Sequence, residues 1–211
     1  MLSSIVHLKK VCFIAYGAED LCNLGVNAFR YGLQKSGFND DLHVYVTASK
    51  NLNYEVAWIT GYFEQMGCEL IASNAITNGN TYFKENVFNI GNLVDERILG
   101  GKGKLTLTSS VVHYQYLYMK VFNYALNGTL RGTEFIDDYG TGTVNIAPFS
   151  GNVDNGIRRK VLAEEERMLA TGPSNYIFMG PVYDNSDVLK VPAGAGMYLC
   201  MQIYDPSHSV V

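Results

Sequence analysis

The sequence predicts an α/β fold, a layered lobe built on a parallel sheet. Three observations carry the α/β prediction. Short apolar runs of strand length recur through the first 110 residues. Stripes of helical period lie between them. A glycine or an Asn-Gly pair closes the first helical stretches.

The elements follow in order. VCFIAY (11–16) is a continuous apolar run, as expected of a strand buried on both faces. Cys22, Val26, Phe29 and Leu33 then recur at helical spacing, and Gly37 is placed to cap that helix. LHVYVT (42–47) alternates as a second strand. Asn53 is placed to cap the next helix, whose apolar face carries Val56, Ile59, Phe63 and Met66, with Gly67 ending it. ELIAS (69–73), VFNIG (87–91) and LTLTSSVV (105–112) read as three further strands.

A helix is predicted from His113 to Leu126, with Tyr114, Leu117, Val121 and Tyr124 on one stripe and Asn127-Gly128 as its stop. Residues 129–151, rich in Gly, Thr and Asp, read as turns with short strands. A charged amphipathic helix spans 153–170, capped by Asn152 or Asp154, with Ile157, Val161, Leu162, Met168 and Leu169 on its apolar face. The tail is irregular or strand-like. No repeat, low-complexity stretch or linker divides the chain, so residues 1–211 are expected to form one domain.

Composition narrows the function classes. Hydrophobic residues make up 47% and charged residues 17%, enough apolar material for a sizeable core. The net charge of −4 argues against a nucleic-acid partner, which calls for a basic footprint. Two lysines interrupt the N-terminal apolar stretch, so residues 11–16 read as a first core strand and not as a secretory leader. Cys12, Cys22, Cys68 and Cys200 form no CxxC pair; Cys12 and Cys68 fall beside core positions and read as buried thiols.

The glycine-rich stretches, histidines and acidic clusters read as structural and not as catalytic motifs. GGKGK (100–104) lacks the Ser/Thr and the helix of a phosphate loop and reads as a tight turn, as does TNGN (77–80). His7, His43, His113 and His208 lack metal-ligand spacing, so no metal or other cofactor is expected. Asp137-Asp138 and Glu164-Glu165-Glu166 read as solvated faces, and most of the 25 Tyr and Phe residues as core stripes. Asn127-Gly128-Thr129 matches a glycosylation acceptor and reads as a helix end. No enzyme is expected.

A series of segments, in order and at fitting spacing, carries a resemblance. These are KKVCFIAYG (9–17), GVNAFRYGL (25–33), GYFEQMGCELIAS (61–73), VFNIGN (87–92), LTSSVV (107–112), LNGT (126–129) and the Gly142–Pro192 region with its GPVYD…VP tail. Together, over about residues 9–194, they resemble the second lobe and C-terminal part of the basic membrane protein family. These are the nucleoside-type solute-binding proteins of ABC transporters. The resemblance implies a type I periplasmic-binding-protein fold and a purine nucleoside, or a similar small molecule, as ligand. It implies a family of cell-surface lipoproteins. The family's opening lobe has no counterpart here, and the surface it would cover leaves room for self-association.

Ligands of parallel α/β sheets bind beyond the carboxyl ends of the strands. The loops that begin at Tyr16, Ala48, Asn74 and Asn92, and the segment after Val112, are therefore the candidate site. Asn74, Asn92, Asp95, His113 and Tyr114 are its candidate ligand contacts. The family's ribose-binding aspartate falls on Leu93, and Asp95 matches its second acidic position.

Overall fold

The computed structural model describes residues 8–16, 19–38, 40, 42–47, 52–74, 87–99, 105–132, 139–171, 180–183 and 187–194. Five strands run parallel: β1 (Val11–Tyr16), β2 (Leu42–Thr47), β3 (Leu70–Ser73), β4 (Phe88–Gly91) and β5 (Thr106–Val112). A sixth, β6 (Val144–Ile146), pairs antiparallel with β5, giving the order β2-β1-β3-β4-β5-β6. Among the described residues four α-helices accompany them: α1 (Glu19–Lys35), α2 (Leu52–Gln65), α3 (Tyr114–Leu126) and α4 (Asn155–Thr171). A separate two-stranded sheet joins β7 (Val182–Tyr183) to β8 (Leu189–Val191).

This order sets the layers. The chain steps from β1 to β2 in one direction, then crosses back past β1 to β3. Right-handed crossovers in opposite directions put their helices on opposite faces. The core divides accordingly. Val11, Phe13, Ala15, Leu42, Val44, Leu70 and Ala72 pack with Val26, Phe29 and Leu33 of α1, and with Val153 and Ile157 of the 153–157 region. On the other face Cys12, Ile14 and Ile71 pack with Val56, Ile59 and Phe63 of α2. Alternate residues of β1 thus serve two cores, which is why its sequence is apolar throughout.

The predicted helix stops are observed. Gly37 and Gly67 take φ of 87° and 81°, a left-handed conformation in which a side chain would be strained. Behind them, Phe38 N–H donates to Leu33 O at 3.0 Å and Cys68 N–H to Phe63 O at 2.9 Å. These bonds satisfy carbonyls that the ending helix leaves open. The Asn127-Gly128 stop closes α3 as expected, with Thr129 N–H donating to Tyr124 O at 2.9 Å. At the start of α4, Asp154 Oδ1 accepts from Gly156 N–H at 2.6 Å, which selects Asp154 over Asn152 as its cap.

Four readings need correction. Cys12 and Cys68 are buried but not free: a disulfide joins them, with Cα atoms 6.1 Å apart. The pairing brings the turn after α2 against β1, a contact that spacing alone does not reveal. Asn53 lies inside α2, which begins at Leu52, and so does not cap it. The tyrosines of α3 are not core: Tyr114, Tyr116, Tyr118 and Tyr124 are exposed, and no residue of this helix is buried. Glu165 is half-buried and accepts from the Tyr139 hydroxyl at 2.8 Å, so it is not a freely solvated carboxylate. Burial, and then that bond, push the Tyr139 phenol well above its ordinary range.

His43 lies in β2 and is half-buried. GGKGK, TNGN, Asp137-Asp138, His7, His208, Cys200 and the side chain of Cys22 fall outside the described residues. Among the described residues, no helix is long and apolar enough to cross a membrane.

Candidate functional site

The carboxyl ends of β1, β3, β4 and β5 lie side by side, with β1 and β3 at the point where the strand order reverses. That reversal opens a crevice in sheets of this kind. A chain of hydrogen bonds runs along the edge. Tyr16 N–H donates to Asn74 Oδ1 at 2.6 Å, and Asn74 Nδ2 donates to Tyr16 O at 3.1 Å. The Asn74 amide thereby acts as an additional backbone unit between β1 and β3. Asn92 Nδ2 donates to Asn74 O at 2.7 Å, and Ser110 Oγ donates to Asn92 Oδ1 at 2.8 Å. The ladder thus links the ends of four strands.

Two of the five predicted contacts, Asn74 and Asn92, are therefore brought together directly. Their amides hold the edge in register. Backbone bonds continue the edge: Val112 N–H donates to Leu93 O at 3.1 Å, and His113 N–H to Thr143 O at 2.7 Å. Leu93 has φ of 65°, an uncommon conformation for a leucine, in the turn between Asn92 and Asp95.

His113 follows β5 and stands at the N-terminus of α3, half-buried. Its ring meets Tyr116 edge-on at 5.9 Å between centroids, and its Nδ1 lies 3.4 Å from Gln115 Nε2. Tyr114 is exposed and stacks on Tyr118 at 6.1 Å. These two residues follow β5, whose Val112 bonds to Leu93 of the turn after Asn92.

Asp95 takes a different role. It accepts from Arg97 N–H at 3.1 Å and Arg97 Nε at 2.8 Å, and Arg97 Nη2 closes the pair. Arg97 also reaches Phe149 O at 3.4 Å. The Arg97 hydrogen bonds hold the Asp95 carboxyl below its ordinary range, so it is ionised at neutral pH. Its oxygens are spent on capping the 3-10 turn Glu96–Ile98 and on tying it, through Arg97, to the 149 region. As an acceptor for a ligand diol it is already engaged.

Beneath the edge lies a polar cluster that sequence reading did not find. Glu96 is 2% exposed and accepts from Asn89 Nδ2 at 3.3 Å, and its N–H donates to Ser109 Oγ at 3.2 Å. Gly91 makes room for it: a Cβ there would stand 2.7 Å from Glu96 Cγ. A glutamate in a loop sequence carries no signal of burial. Tyr16 and Ser110 were also missed as site residues. The signal available for them was position, since each stands at or near the carboxyl end of a predicted strand.

No family model and no curated protein matches the sequence. Solved structures do match the fold. One is an ABC transporter solute-binding protein from Conexibacter woesei DSM 14684, with TM-score 0.57 and 18% identity, covering 78% of this chain and 56% of that one. A transcriptional activator of the comK gene from Bacillus halodurans gives TM-score 0.65 and 20% identity, covering 81% and 60%. An ABC transporter solute-binding protein from Aeropyrum pernix K1 gives 0.59 and 11%, covering 77% and 56%.

The fold is periplasmic-binding-protein-like. At these identities the likeness speaks to fold, and the chain spans 56–60% of the length of the structures it matches. The edge ladder is thus the candidate site of a lobe of known architecture, and its ligand is a separate question.

Proposed function

We propose that the chain is a solute-binding protein of the ABC-transport type, binding a nucleoside-like small molecule at the carboxyl edge of its sheet. The observation that carries this reading is the Tyr16–Asn74–Asn92–Ser110 ladder at the reversal of strand order. It fixes the edge before any ligand arrives, which lowers the cost of binding. Around it stand groups suited to a base and a sugar. Tyr16 and Tyr114 offer exposed rings for stacking, and Ser110 and His113 offer polar contacts. Asn74 and Asn92 hold the edge in position through their amides, and Asp95 does so through Arg97.

The segments resembling the basic membrane protein family favour a purine nucleoside within the broader solute class. The Cys12–Cys68 disulfide suits a compartment outside the reducing cytosol, as solute capture at a cell surface requires. The proposed role is binding without turnover.

Calorimetric titration of the full chain with adenosine, guanosine and inosine tests the reading. Micromolar binding of at least one is expected, weakened about tenfold or more by Tyr16→Ala through loss of stacking. No heat and no thermal shift with any of them at millimolar concentration would sink it. Chromatography of the recovered nucleoside should show it unchanged; a converted product overturns the non-enzymatic role.

A further inference from the structure

Helix α3 has an outward face that does not suit water. Its sequence, YQYLYMKVFNYAL, carries one charge, Lys120, in 13 residues. Helix α4, in the same C-terminal half, carries seven charged residues in 17: Arg158, Arg159, Lys160, Glu164, Glu165, Glu166 and Arg167. The latter composition is what a solvent-facing helix ordinarily shows.

The geometry sharpens the contrast. At 3.6 residues per turn, Tyr114, Tyr118, Phe122, Leu126 and Met119 fall on one arc of about 140°. The two other positions of that arc are Gln115 and Ala125. All five large residues are exposed, Tyr118 by 66% and Leu126 by 68%. Lys120, Leu117 and Val121 lie outside that arc and are half-buried. The outward arc therefore contains no charge. Its five large side chains present roughly 600 Å² of mainly apolar and aromatic surface, at the low end of specific interfaces, which bury about 600–1,000 Å² per partner.

We propose that this face of α3 is the contact of a two-fold symmetric homodimer. An isologous contact needs a patch that complements itself. An uncharged aromatic stripe does so, because tyrosine and phenylalanine rings pair with their own kind in tilted or offset geometries. The chain's net charge of −4 disfavours close approach of two copies through charged faces. The α3 arc offers approach without that repulsion. Tyrosine also suits an interface, since its ring is buried while its hydroxyl reaches the wet rim. Because α3 begins at Tyr114, directly after His113, the contact borders the candidate solute edge and shares Tyr114 with it, without using the ladder.

The test is the mass of the full chain in solution by light scattering and sedimentation, from about 5 to about 200 µM, where micromolar association is read. The expected species is twice the 23.4 kDa chain mass, dissociating on dilution. The double variant Tyr118→Glu with Phe122→Glu places like charges across the symmetry axis and should weaken association at least tenfold. Met119→Lys should act in the same direction. Leu162→Glu, at an exposed position of α4, should leave the dimer unchanged.

Circular dichroism and a thermal melt establish that each variant is folded, and Met119→Lys serves if the double variant is not. A monomer throughout the range overturns the proposal, as does a dimer indifferent to the α3 charges. Mass that grows without limit overturns the closed two-fold arrangement. A monomer that still binds a nucleoside removes the dimer and leaves the solute reading intact.

Discussion

Helices α2 and α3 differ by one residue in length and are both rich in aromatics, yet they have opposite relations to the core. In α2, Val56 and Ile59 are 0% exposed and Phe63 is nearly so. In α3 nothing is buried. The reason is position. Helix α2 crosses back over β1 to reach β3 and lies on the middle of the sheet, against Cys12, Ile14 and Ile71. Helix α3 leaves β5, whose other neighbour is the last strand of the sheet, and the described residues bury none of its side chains. Apolar content therefore shows that a helix has something to cover, and topology decides whether this chain supplies it.

Four experiments can break or sharpen that contrast. The largest effect is expected where α2 is tied to the sheet. Replacing Cys12 and Cys68 together by alanine opens a covalent loop with a sequence separation of 56. Chain entropy alone predicts a cost of about 4 kcal/mol, readable as a lower denaturant midpoint. An unchanged midpoint would mean that packing and not the bridge fixes α2.

Next in size is a matched truncation. Ile59→Ala in α2 should cost about 3 kcal/mol by removing buried methyl groups and leaving a cavity. Met119→Ala in α3 should cost under about 0.5 kcal/mol at concentrations where the chain is monomeric. Equal losses would show that α3 is part of the core after all.

The edge ladder comes third. Asn92→Ala removes the acceptor of Ser110 and the donor to Asn74 O, and should cost about 1–2 kcal/mol. It should also weaken nucleoside binding, although Asn92 is assigned no ligand contact. A stable variant with full affinity would remove the ladder's positioning role.

The smallest effect belongs to the Asp95–Arg97 pair, which is partly exposed. Asp95→Asn should cost under about 1 kcal/mol at neutral pH after allowance for solvent screening. The sign follows from the lowered carboxyl. Folding favours the ionised form, so the contribution is complete above the ordinary aspartate range and is lost as pH falls through the folded value. Wild type and variant should therefore converge in acid; a gap that widens there contradicts the assignment.

Much of the fold was legible in the sequence. The runs at 11–16 and 42–47 are strands with the predicted limits, and the stripe Val56–Ile59–Phe63 is the buried face of a helix. The stops at Gly37, Gly67 and Asn127-Gly128 were equally clear, because a left-handed C-cap is a local demand on one residue. The candidate site was legible only as a place. Asn74 and Asn92 were found, but as ligand contacts, because the partners that occupy their amides are 58 and 18 positions away. Glu96 was missed because its burial depends on Asn89, Gly91 and Ser109 lying side by side on two strands.

By itself, then, the sequence determined the five parallel strands, the helices, their order and the glycine stops, since these follow from periods of two and 3.6 residues and from single-residue caps. It also determined the composition of α3, including its lack of charge. Only the tertiary structure decided that Cys12 meets Cys68, that Arg97 reaches Phe149 O, and that the aromatic side of α3 faces outward. Each of these is a contact, or the lack of one, set by how crossover direction places the elements, and no local pattern encodes that placement.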